Sequence, residues 1–454
     1  MLLRLVVKNF LSFRREMEFN TFPYERISRH KHHVYEVGDG LKMLKTSAIY
    51  GANGSGKTNL VKALSLLQNI ATDRQQQLGT LNAPFFKLSE KGAEQPISIE
   101  AEFKSGDSFF AYGVDLLDHK IREEWLYRTY PRTGKQELIF ERKQEGVGTV
   151  SISTGEELVN NPKDRLLIEI FQEDRDLLPH DQSLLFILQK RTQFSRVAQA
   201  YEWFSHKLFI HYPQSDRVGL LSQIVHNERF LEFANDLISK LDTGVQRLEL
   251  ETMGLDEFLG DNDANQKTKV IQQLESGESW VELAYQNGLA IARLDKAGKP
   301  VVQKLMARHA SSLSDSQLFE LGEESDGTLR MIDLLPMFEL VQNGEYVCVV
   351  DEIGRSIHPA VLKEMMNYFV NRPTKGQLVF TTHEGHLLDL EVFRQDEIWF
   401  MEKGLEGGTS MYPLSDYKPR YDLNIRKGYL NGRFGAIPYL VEFSKLSKTD
   451  AKKE

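Results

Sequence analysis

Three glycines, a lysine and a threonine in the stretch "GANGSGKT", Gly51 to Thr58, have the types and spacing of a phosphate-binding loop. The glycines let the backbone wrap closely around an anion, and a helix that begins after the loop directs its amides at the phosphates. Lys57 supplies a positive charge for the β- and γ-phosphates, and Thr58 a hydroxyl for Mg²⁺. The segment predicts a nucleotide site, and a chance glycine turn is the alternative.

Asp351 and Glu352 form a second candidate centre, directly after the apolar run "YVCVV". Side chains at the end of a buried parallel strand reach the carboxyl edge of the sheet, where ligands bind. A nucleotide site needs a carboxylate that holds Mg²⁺ and a base that orients the attacking water. We therefore predict that Asp351 meets the metal through water and that Glu352 polarises the nucleophilic water. Two acids that merely cap a core strand are the alternative.

Two further segments could contact phosphate. His383 follows the apolar run "QLVFTT", where an imidazole can touch the γ-phosphate and position the water. In "ESDGT", Ser325 is a plausible helix-start residue, and the amides of Gly327 and Thr328 could bind phosphate. An ordinary helix N-cap is the simpler interpretation of Ser325.

The elements that must position these residues follow from hydrophobic periodicity. Met1 to Asn20 predicts two strands, and Pro96 to about Ser153 predicts an antiparallel meander. From about Asp164 to Leu250 the pattern becomes helical, and "LAIARLDKAGKPVVQKLMARH" predicts a hairpin. From Gly327 onward, helices and buried strands alternate.

These elements predict an α/β fold with an antiparallel β subdomain and an inserted helical domain. The predicted divisions are residues 1–155 for the first half of the α/β core and 156–290 for the helical insertion. Residues 291–420 form the second half of the core, and 421–454 a terminal segment whose last part, "SKLSKTDAKKE", has the composition of a disordered tail.

Composition limits the functional classes. A chain of 454 residues with a net charge of −9 repels nucleic acid unless it carries a local basic patch. Neither a signal peptide nor an apolar run of about 20 residues is present, so we expect a cytoplasmic protein without a membrane span. The single cysteine, Cys348, suits a reducing compartment and predicts a core thiol.

Six segments together carry a family resemblance. They are "LVVKNFLSF", "GANGSGKTNL", "ESDGTLRMIDLLP", "DEIGRSIHP", "LVFTTH", and the ending "RQDEIWFMEK" with "YLNGRFGAIPYL". The chain resembles the ABC-type P-loop ATPases related to recombination and chromosome-maintenance ATPases. It is most similar to their compact branch in bacterial phage defence, the neighbourhood of the overcoming-lysogenisation-defect nucleases and of the ATPase subunits RloA, AbiLi and AriA.

The resemblance implies an ABC-type ATPase head that uses ATP and Mg²⁺. It implies a homo-oligomer in which the signature segment of one subunit closes over the nucleotide of another, with Ser325 and Gly327 on the γ-phosphate. The implied metal ligands are Thr58 and Asp351, and the implied catalytic residues are Glu352, His383 and Lys57. The nucleotide-binding residues that it implies in the first loop are Asn53, Gly54, Ser55, Gly56, Lys57, Thr58 and Asn59.

The sequence departs from the transporter form of that family. "SDGT" replaces the usual Ser-Gly-Gly-Gln, Ile353 stands where a proline commonly follows the acid pair, and His358 stands near the D-loop aspartate. The Q-loop glutamine has no single candidate: Gln75, Gln76 and Gln77 compete with "NAPFFKLS".

Three functions compete. The favoured one is the ATPase subunit of an anti-phage system that oligomerises with nucleotide, senses a phage trigger and controls a separate nuclease-like effector. The second is a DNA-repair or chromosome-maintenance ATPase, which would require a long coiled coil or a basic channel. The third makes the chain itself a nuclease with a metal site at His30, His32 and His33, assisted by Glu25 or Glu36. A solvated loop is the favoured interpretation of these histidines.

Overall fold

The structure of the chain is a computed structural model. It describes all residues except 75–82, 146–148, 160–161, 174–177, 192–194, 215–219, 222–223, 225–226, 242, 261–263, 286–287, 311–316, 422 and 438–454. The candidate glutamines Gln75 to Gln77 and the charged tail lie outside the described residues.

The strands, in chain order, are β1 Leu2–Lys8, β2 Met17–Asn20, β3 Val34–Gly38, β4 Leu41–Leu44, β5 Thr46–Gly51, β6 Ile97–Ser105, β7 Ser108–Leu117, β8 Lys120–Tyr130, β9 Lys135–Glu145, β10 Thr149–Thr154, β11 Leu208–His211, β12 Val245–Gly254, β13 Val281–Tyr285, β14 Gly288–Leu294, β15 Pro300–His309, β16 Gln317–Glu320, β17 Val347–Val350, β18 Gln377–Thr382, β19 Ile398–Lys403 and β20 Thr409–Pro413. The α-helices are α1 Lys57–Thr72, α2 Glu156–Val159, α3 Pro162–Glu173, α4 Leu184–Arg191, α5 Ser195–Glu202, α6 Glu228–Ile238, α7 Leu255–Leu259, α8 Ala264–Glu275, α9 Asp326–Asn343, α10 Pro359–Val370 and α11 Ile425–Leu430.

The chain divides into two units. The first comprises Met1–His211, Glu345–Ile353 and Lys375–Glu454, and the second comprises Tyr212–Gly344 and Gly354–Thr374. The first unit is therefore assembled from three separate stretches of sequence, and the second from two.

An antiparallel sheet occupies the N-terminal part of the first unit. Its strand order within the described residues is β10-β9-β8-β7-β6-β1-β2. In β6, whose sequence "ISIEAEFKS" alternates between apolar and polar residues, every second side chain is buried, as expected for a sheet with one covered face. The predicted N-terminal strand pair and the meander are both confirmed.

A second, mostly parallel sheet forms the centre of the first unit. Its order is β11-β17-β18-β5-β19-β20, and the β19–β20 pair is the antiparallel one among the described pairings. All six residues of β5 and all four of β17 are buried, which is typical of parallel strands with both faces covered. The thiol of Cys348 is buried in β17, as predicted. The expected mixed α/β fold with an antiparallel sheet is confirmed.

The second unit contains a sheet of its own. Strands β12, β15, β14 and β13 pair in that order, with β16 added to β15. The hairpin predicted around Lys296 is confirmed as β14 and β15. The helices α6 to α10 belong to this unit.

The segment 156–290, which the sequence predicts as a helical insertion, contains strands as well as helices. Helices α2 to α5 precede β11, which is a strand of the central sheet, and β12 to β14 add three strands before residue 294. In β12, the apolar residues Val245, Leu248, Leu250 and Met253 are spaced by three, two and three positions. A register shift after Val245 breaks the two-residue alternation that would have indicated a strand.

The histidine-rich segment is also different from the solvated loop that the sequence favoured. The segment Lys31–His33 is a one-turn 3₁₀ helix. His32 is exposed, whereas His33 is fully buried. Burial, with Lys45 and Arg394 nearby, lowers the pKa of His33 to about 3, so its ring is neutral near pH 7.

Among the helices that the structure describes, none has the length and apolar content to cross a bilayer.

Candidate functional site

Three parallel strands end at one edge of the central sheet, and each carries predicted site residues at its carboxyl end. Strand β5 leads into the glycine loop, β17 into Asp351 and Glu352, and β18 into His383. Because β18 lies between β5 and β17, residues that are 293 positions apart in sequence become neighbours. This is the edge where α/β sheets bind ligands.

The loop from Gly51 to Gly56 has the backbone that its glycines predict. Gly54 and Gly56 have φ angles of 80° and 108°, a region that residues with a Cβ rarely adopt. A Cβ on Gly56 would lie 2.5 Å from Oγ1 of Thr409 and 2.7 Å from Oγ of Ser12. The loop therefore needs glycine here both for its conformation and for its close packing, and helix α1 starts directly after it at Lys57.

The Lys57 ammonium group lies across the loop. Its Nζ donates hydrogen bonds to the carbonyl oxygens of Gly51 at 2.7 Å and Ala52 at 3.1 Å. Burial lowers the pKa of Lys57, and the carboxylates of Glu352 and Asp351 act in the opposite direction. A buried cation whose hydrogen bonds go to neutral carbonyls can gain a great deal from an anionic ligand such as a phosphate.

A chain of hydrogen bonds joins the loop to the acid pair. The Thr58 hydroxyl donates to Oδ2 of Asp351 at 2.9 Å, and the Thr381 hydroxyl donates to Oδ1 of Asp351 at 2.6 Å. The Thr381 hydroxyl also accepts the backbone N–H of Glu352 at 2.8 Å. Asp351 is 2% exposed, so both of its oxygens are oriented by neighbours in a buried position. The interpretation of the acids as a simple strand cap does not account for the contact with Thr58.

Glu352 has a left-handed backbone, with φ at 48°. Non-glycine residues adopt this conformation at a cost of about 1 kcal/mol or more, and the hydrogen bond from its amide to Thr381 helps to hold it. His383 lies at the end of β18 with its side chain 49% exposed, and its Nε2 is 3.5 Å from Oε1 of Glu384. An accessible imidazole at this edge can meet a ligand.

The donor set fits a nucleotide and a magnesium ion. Thr58 and Asp351 supply a hydroxyl and carboxylate oxygens, which are the hard ligands that Mg²⁺ prefers. Within the loop, Oγ of Ser55 is buried and has no hydrogen-bond partner among the described residues. Such an orphaned hydroxyl is unusual in a folded protein and matches a loop whose partner is a phosphate oxygen.

Three residues that the sequence analysis did not single out complete the loop's surroundings. The Thr409 hydroxyl donates to the carbonyl of Ser55 at 2.8 Å, and the Asn59 side chain donates to Oγ of Ser12 at 2.8 Å. Thr381 links the two acids as described above. Ser12 lies in the segment "LVVKNFLSF" and Thr381 in "LVFTTH", both of which carry the family resemblance. Thr409 lies in none of the segments that carry it.

The signature-like segment belongs to the second unit. Ser325 is the N-cap of α9, and its Oγ accepts the N–H of Thr328 at 3.1 Å. A Cβ on Gly327 would lie 2.6 Å from the carbonyl oxygen of Ser356, so the close approach of that backbone requires glycine. His358 is the N-cap of α10, and Pro359 is the first residue of that helix. The helix-cap interpretation of Ser325 is thus confirmed, and it leaves a role in a second subunit open to proposal.

Comparison with known proteins supplies a family. The family model described as "AAA domain, putative AbiEii toxin, Type IV TA system" matches residues 47–389, which is more than half of the 454 residues. No curated protein sequence matches the chain.

Solved structures of SMC head domains are similar to this chain. The "SMC head domain from Thermotoga maritima" has 15% identity and a TM-score of 0.36, covering 91% of this chain and 98% of that one. An SmcHead bound to the C-winged helix domain of ScpA has 12% identity and a TM-score of 0.42, covering 92% and 99%. An Smc head domain bound to the C-terminal domain of ScpA derived from Pyrococcus furiosus has 11% identity and a TM-score of 0.36, covering 92% and 97%.

Proposed function

The chain belongs to the AAA-domain family whose model spans residues 47–389, and from this premise we propose a specific role. It is a Mg²⁺-dependent ATPase that serves as the nucleotide-driven subunit of an abortive-infection type of phage-defence system. ATP binding assembles the subunits, and hydrolysis or a phage trigger changes their control of a separate nuclease-like effector.

The observation that carries the ATPase assignment is the contact between Thr58 and Asp351 at 2.9 Å. A loop hydroxyl in direct contact with a strand-end carboxylate supports a metal site that the two residues share. The chemistry that Mg²⁺ supplies in such a site is neutralisation of charge on the phosphate oxygens. The Thr381 hydroxyl fixes Asp351 for this role, and Lys57 exchanges its carbonyl partners for the β- and γ-phosphates.

Glu352 is the general base in this proposal. It is next to the metal-side acid, partly accessible, and close enough to Lys57 to raise the pKa of that amine. A carboxylate here accepts a proton from the attacking water, which is a contribution of about 10²–10⁴ in rate. His383, at the end of the neighbouring strand, contacts the γ-phosphate and orients the same water.

The signature-like segment supports self-association as part of this proposal. Helix α9 begins at Asp326 with the amide of Gly327 in its first turn, and a helix start favours anions. We assign Ser325 and Gly327 to the γ-phosphate held by a second copy of the chain, in a head-to-tail dimer or a larger ring. His358 is the corresponding subunit-contact residue.

The defence role rests on the family and on the sequence resemblance. The description of the family names a putative AbiEii toxin and a toxin–antitoxin system, which are systems with paired components. A separate effector fits such pairing. Residues 156–290 are the proposed platform for the effector or for a phage protein.

A phage challenge of cells that carry the gene with its neighbours tests this role. Cells with the wild-type chain should survive as a culture, whereas Lys57→Ala should remove protection and Lys62→Ala, on the exposed side of α1, should keep it. Equal protection by Lys57→Ala would reject a nucleotide-driven defence function. Hydrolysis by the purified chain that rises several-fold on adding linear DNA would instead favour the DNA-maintenance alternative.

A further inference from the structure

The three histidines His30, His32 and His33 form a compact group in the first unit, away from the residues assigned to nucleotide chemistry. Each offers a ring nitrogen, and these atoms all lie within 4.8 Å of one another. Among the described residues, this group contains imidazoles alone, so neither Glu25 nor Glu36 belongs to it. Zn–N bonds of about 2.0–2.1 Å keep the bound nitrogens within about 4.2 Å of one another, so a small rotation of these rings would let all three share a single transition-metal ion.

His33 has one ring nitrogen with a partner and one without. Its Nδ1 lies 2.9 Å from Oε2 of Glu397, and both side chains are fully buried. Its Nε2 is buried and has no hydrogen-bond partner among the described residues. A buried nitrogen without a partner is destabilising, so the fold carries an unmet requirement at this atom.

The rings of His30 and His33 are each held by a hydrogen bond, as the rings of metal-binding histidines are. The Leu390 carbonyl can only accept, so His30 donates to it through Nε2–H, at 2.9 Å, and keeps Nδ1 as an acceptor. Nδ1 of His33 lies at the Glu397 carboxyl group, and the tautomer with a proton on Nδ1 leaves Nε2 as an acceptor. A metal-binding histidine characteristically donates its second N–H to a carboxylate or a backbone carbonyl, which fixes its tautomer and orientation.

We propose that His30, His32 and His33 bind one Zn²⁺ or a similar borderline divalent ion, with Glu397 orienting His33 from behind. Nitrogen donors select such ions over Mg²⁺ and Ca²⁺, which take oxygen ligands. Three protein ligands leave a fourth tetrahedral position for water. The site therefore differs in chemistry from the Thr58 and Asp351 pair.

The position of the site gives the metal a structural role. The backbone N–H of Lys45 donates to the carbonyl of His33 at 2.9 Å, and Lys45 directly precedes β5. Glu397 directly precedes β19, and its carbonyl accepts the N–H of Ala48 at 2.7 Å. The metal thus fastens the 3₁₀ turn to the starts of two neighbouring strands. The phosphate loop lies at the opposite end of β5, about 17 Å away for a six-residue strand.

Zinc titration of the untagged full-length chain tests this inference. The protein is stripped with a chelator, and binding is followed without nucleotide by calorimetry and by the visible absorption of cobalt as a substitute. The wild type should bind one equivalent, with a melting temperature that rises as zinc is added. Wild-type protein that binds no zinc would overturn the proposal.

Matched variants separate this site from adventitious binding. His32→Ala removes an exposed ligand without touching the core, and it should weaken zinc binding by at least about 100-fold. Glu397→Gln keeps the size of the buried side chain and should weaken binding about 10- to 100-fold. His206→Ala, at an exposed histidine elsewhere in the first unit, should leave binding unchanged. Equal zinc affinity in His32→Ala and the wild type would contradict the assignment.

Discussion

The hydroxyl of Thr58 donates a 2.9 Å hydrogen bond to Oδ2 of Asp351, although the two residues are separated by 293 positions in the chain. This contact joins the start of α1 to the end of β17 across the edge of one parallel sheet. Two sequence signals that are each ambiguous alone thereby become one site with a hydroxyl, a carboxylate and a cation. Most of the expected effects of substitution follow from this arrangement.

Lys57→Ala should abolish measurable nucleotide binding. The ammonium group is buried and positioned by the carbonyls of Gly51 and Ala52, and its charged hydrogen bonds to phosphate are each worth about 1.5–3 kcal/mol. Calorimetric titration with ATP and Mg²⁺ should show a loss of affinity of at least about tenfold per lost bond. Lys62→Ala removes an exposed lysine from the same helix and serves as the control, and an equal affinity in both variants would show that Lys57 does not bind phosphate.

Thr381→Val should damage both stability and turnover. The change keeps the shape of the side chain but removes the hydroxyl that contacts Asp351 at 2.6 Å and the Glu352 amide at 2.8 Å. Loss of these two hydrogen bonds should lower the free energy of unfolding by about 1–3 kcal/mol in total, and hydrolysis should fall more than ATP affinity. Denaturant titration and steady-state kinetics measure the two effects.

Thr46→Val is the matched control for that prediction. Thr46 is as buried as Thr381 and lies in the neighbouring strand β5, but its hydroxyl has no hydrogen-bond partner among the described residues. Replacing an unpaired buried hydroxyl by a methyl group should leave stability unchanged or raise it. A loss of stability in Thr46→Val as large as that in Thr381→Val would mean that burial, and not the link between the acids, sets the effect.

Substitutions at Ser325 can separate its helix-cap role from the proposed contact in a second subunit. Asn and Asp both replace serine well as N-caps, so Ser325→Asn and Ser325→Asp should fold with similar melting temperatures. The carboxylate of Ser325→Asp should repel a γ-phosphate from the partner and prevent ATP-dependent association, whereas Ser325→Asn should retain it. Sedimentation velocity with ATP in a hydrolysis-deficient background measures this, and equal association of the two variants would argue against the contact in trans.

Much of the central sheet was predictable because its strands are locally distinctive. Buried parallel strands such as β5 and β17 are continuous apolar runs, and each is followed by residues that carry chemistry. These apolar runs do not indicate which strands become neighbours in the sheet. The placement of β18 between β5 and β17 depends on long-range packing, and this placement is what brings Thr381 to Asp351.

The differences between the predicted and the observed structure have identifiable physical causes. Strand β11 is four residues long, lies at the edge of the central sheet and pairs with β17, so its pairing leaves no signal in the surrounding helical sequence. The histidine segment has the polar composition of a surface loop. His33 is nevertheless buried against Glu397, a partner 364 positions away, which local sequence cannot report.

A single-turnover measurement of ATP hydrolysis by Glu352→Gln tests the central claim most directly. The amide keeps the size of the side chain and cannot accept the proton of the attacking water. Hydrolysis should therefore be at least about 100-fold slower than in the wild type, while ATP affinity stays within a few-fold. Glu364→Gln, at an exposed acid on α10, should hydrolyse ATP at the wild-type rate. Hydrolysis by Glu352→Gln at the wild-type rate would contradict the assignment of the base and with it the proposed division of roles between Asp351 and Glu352.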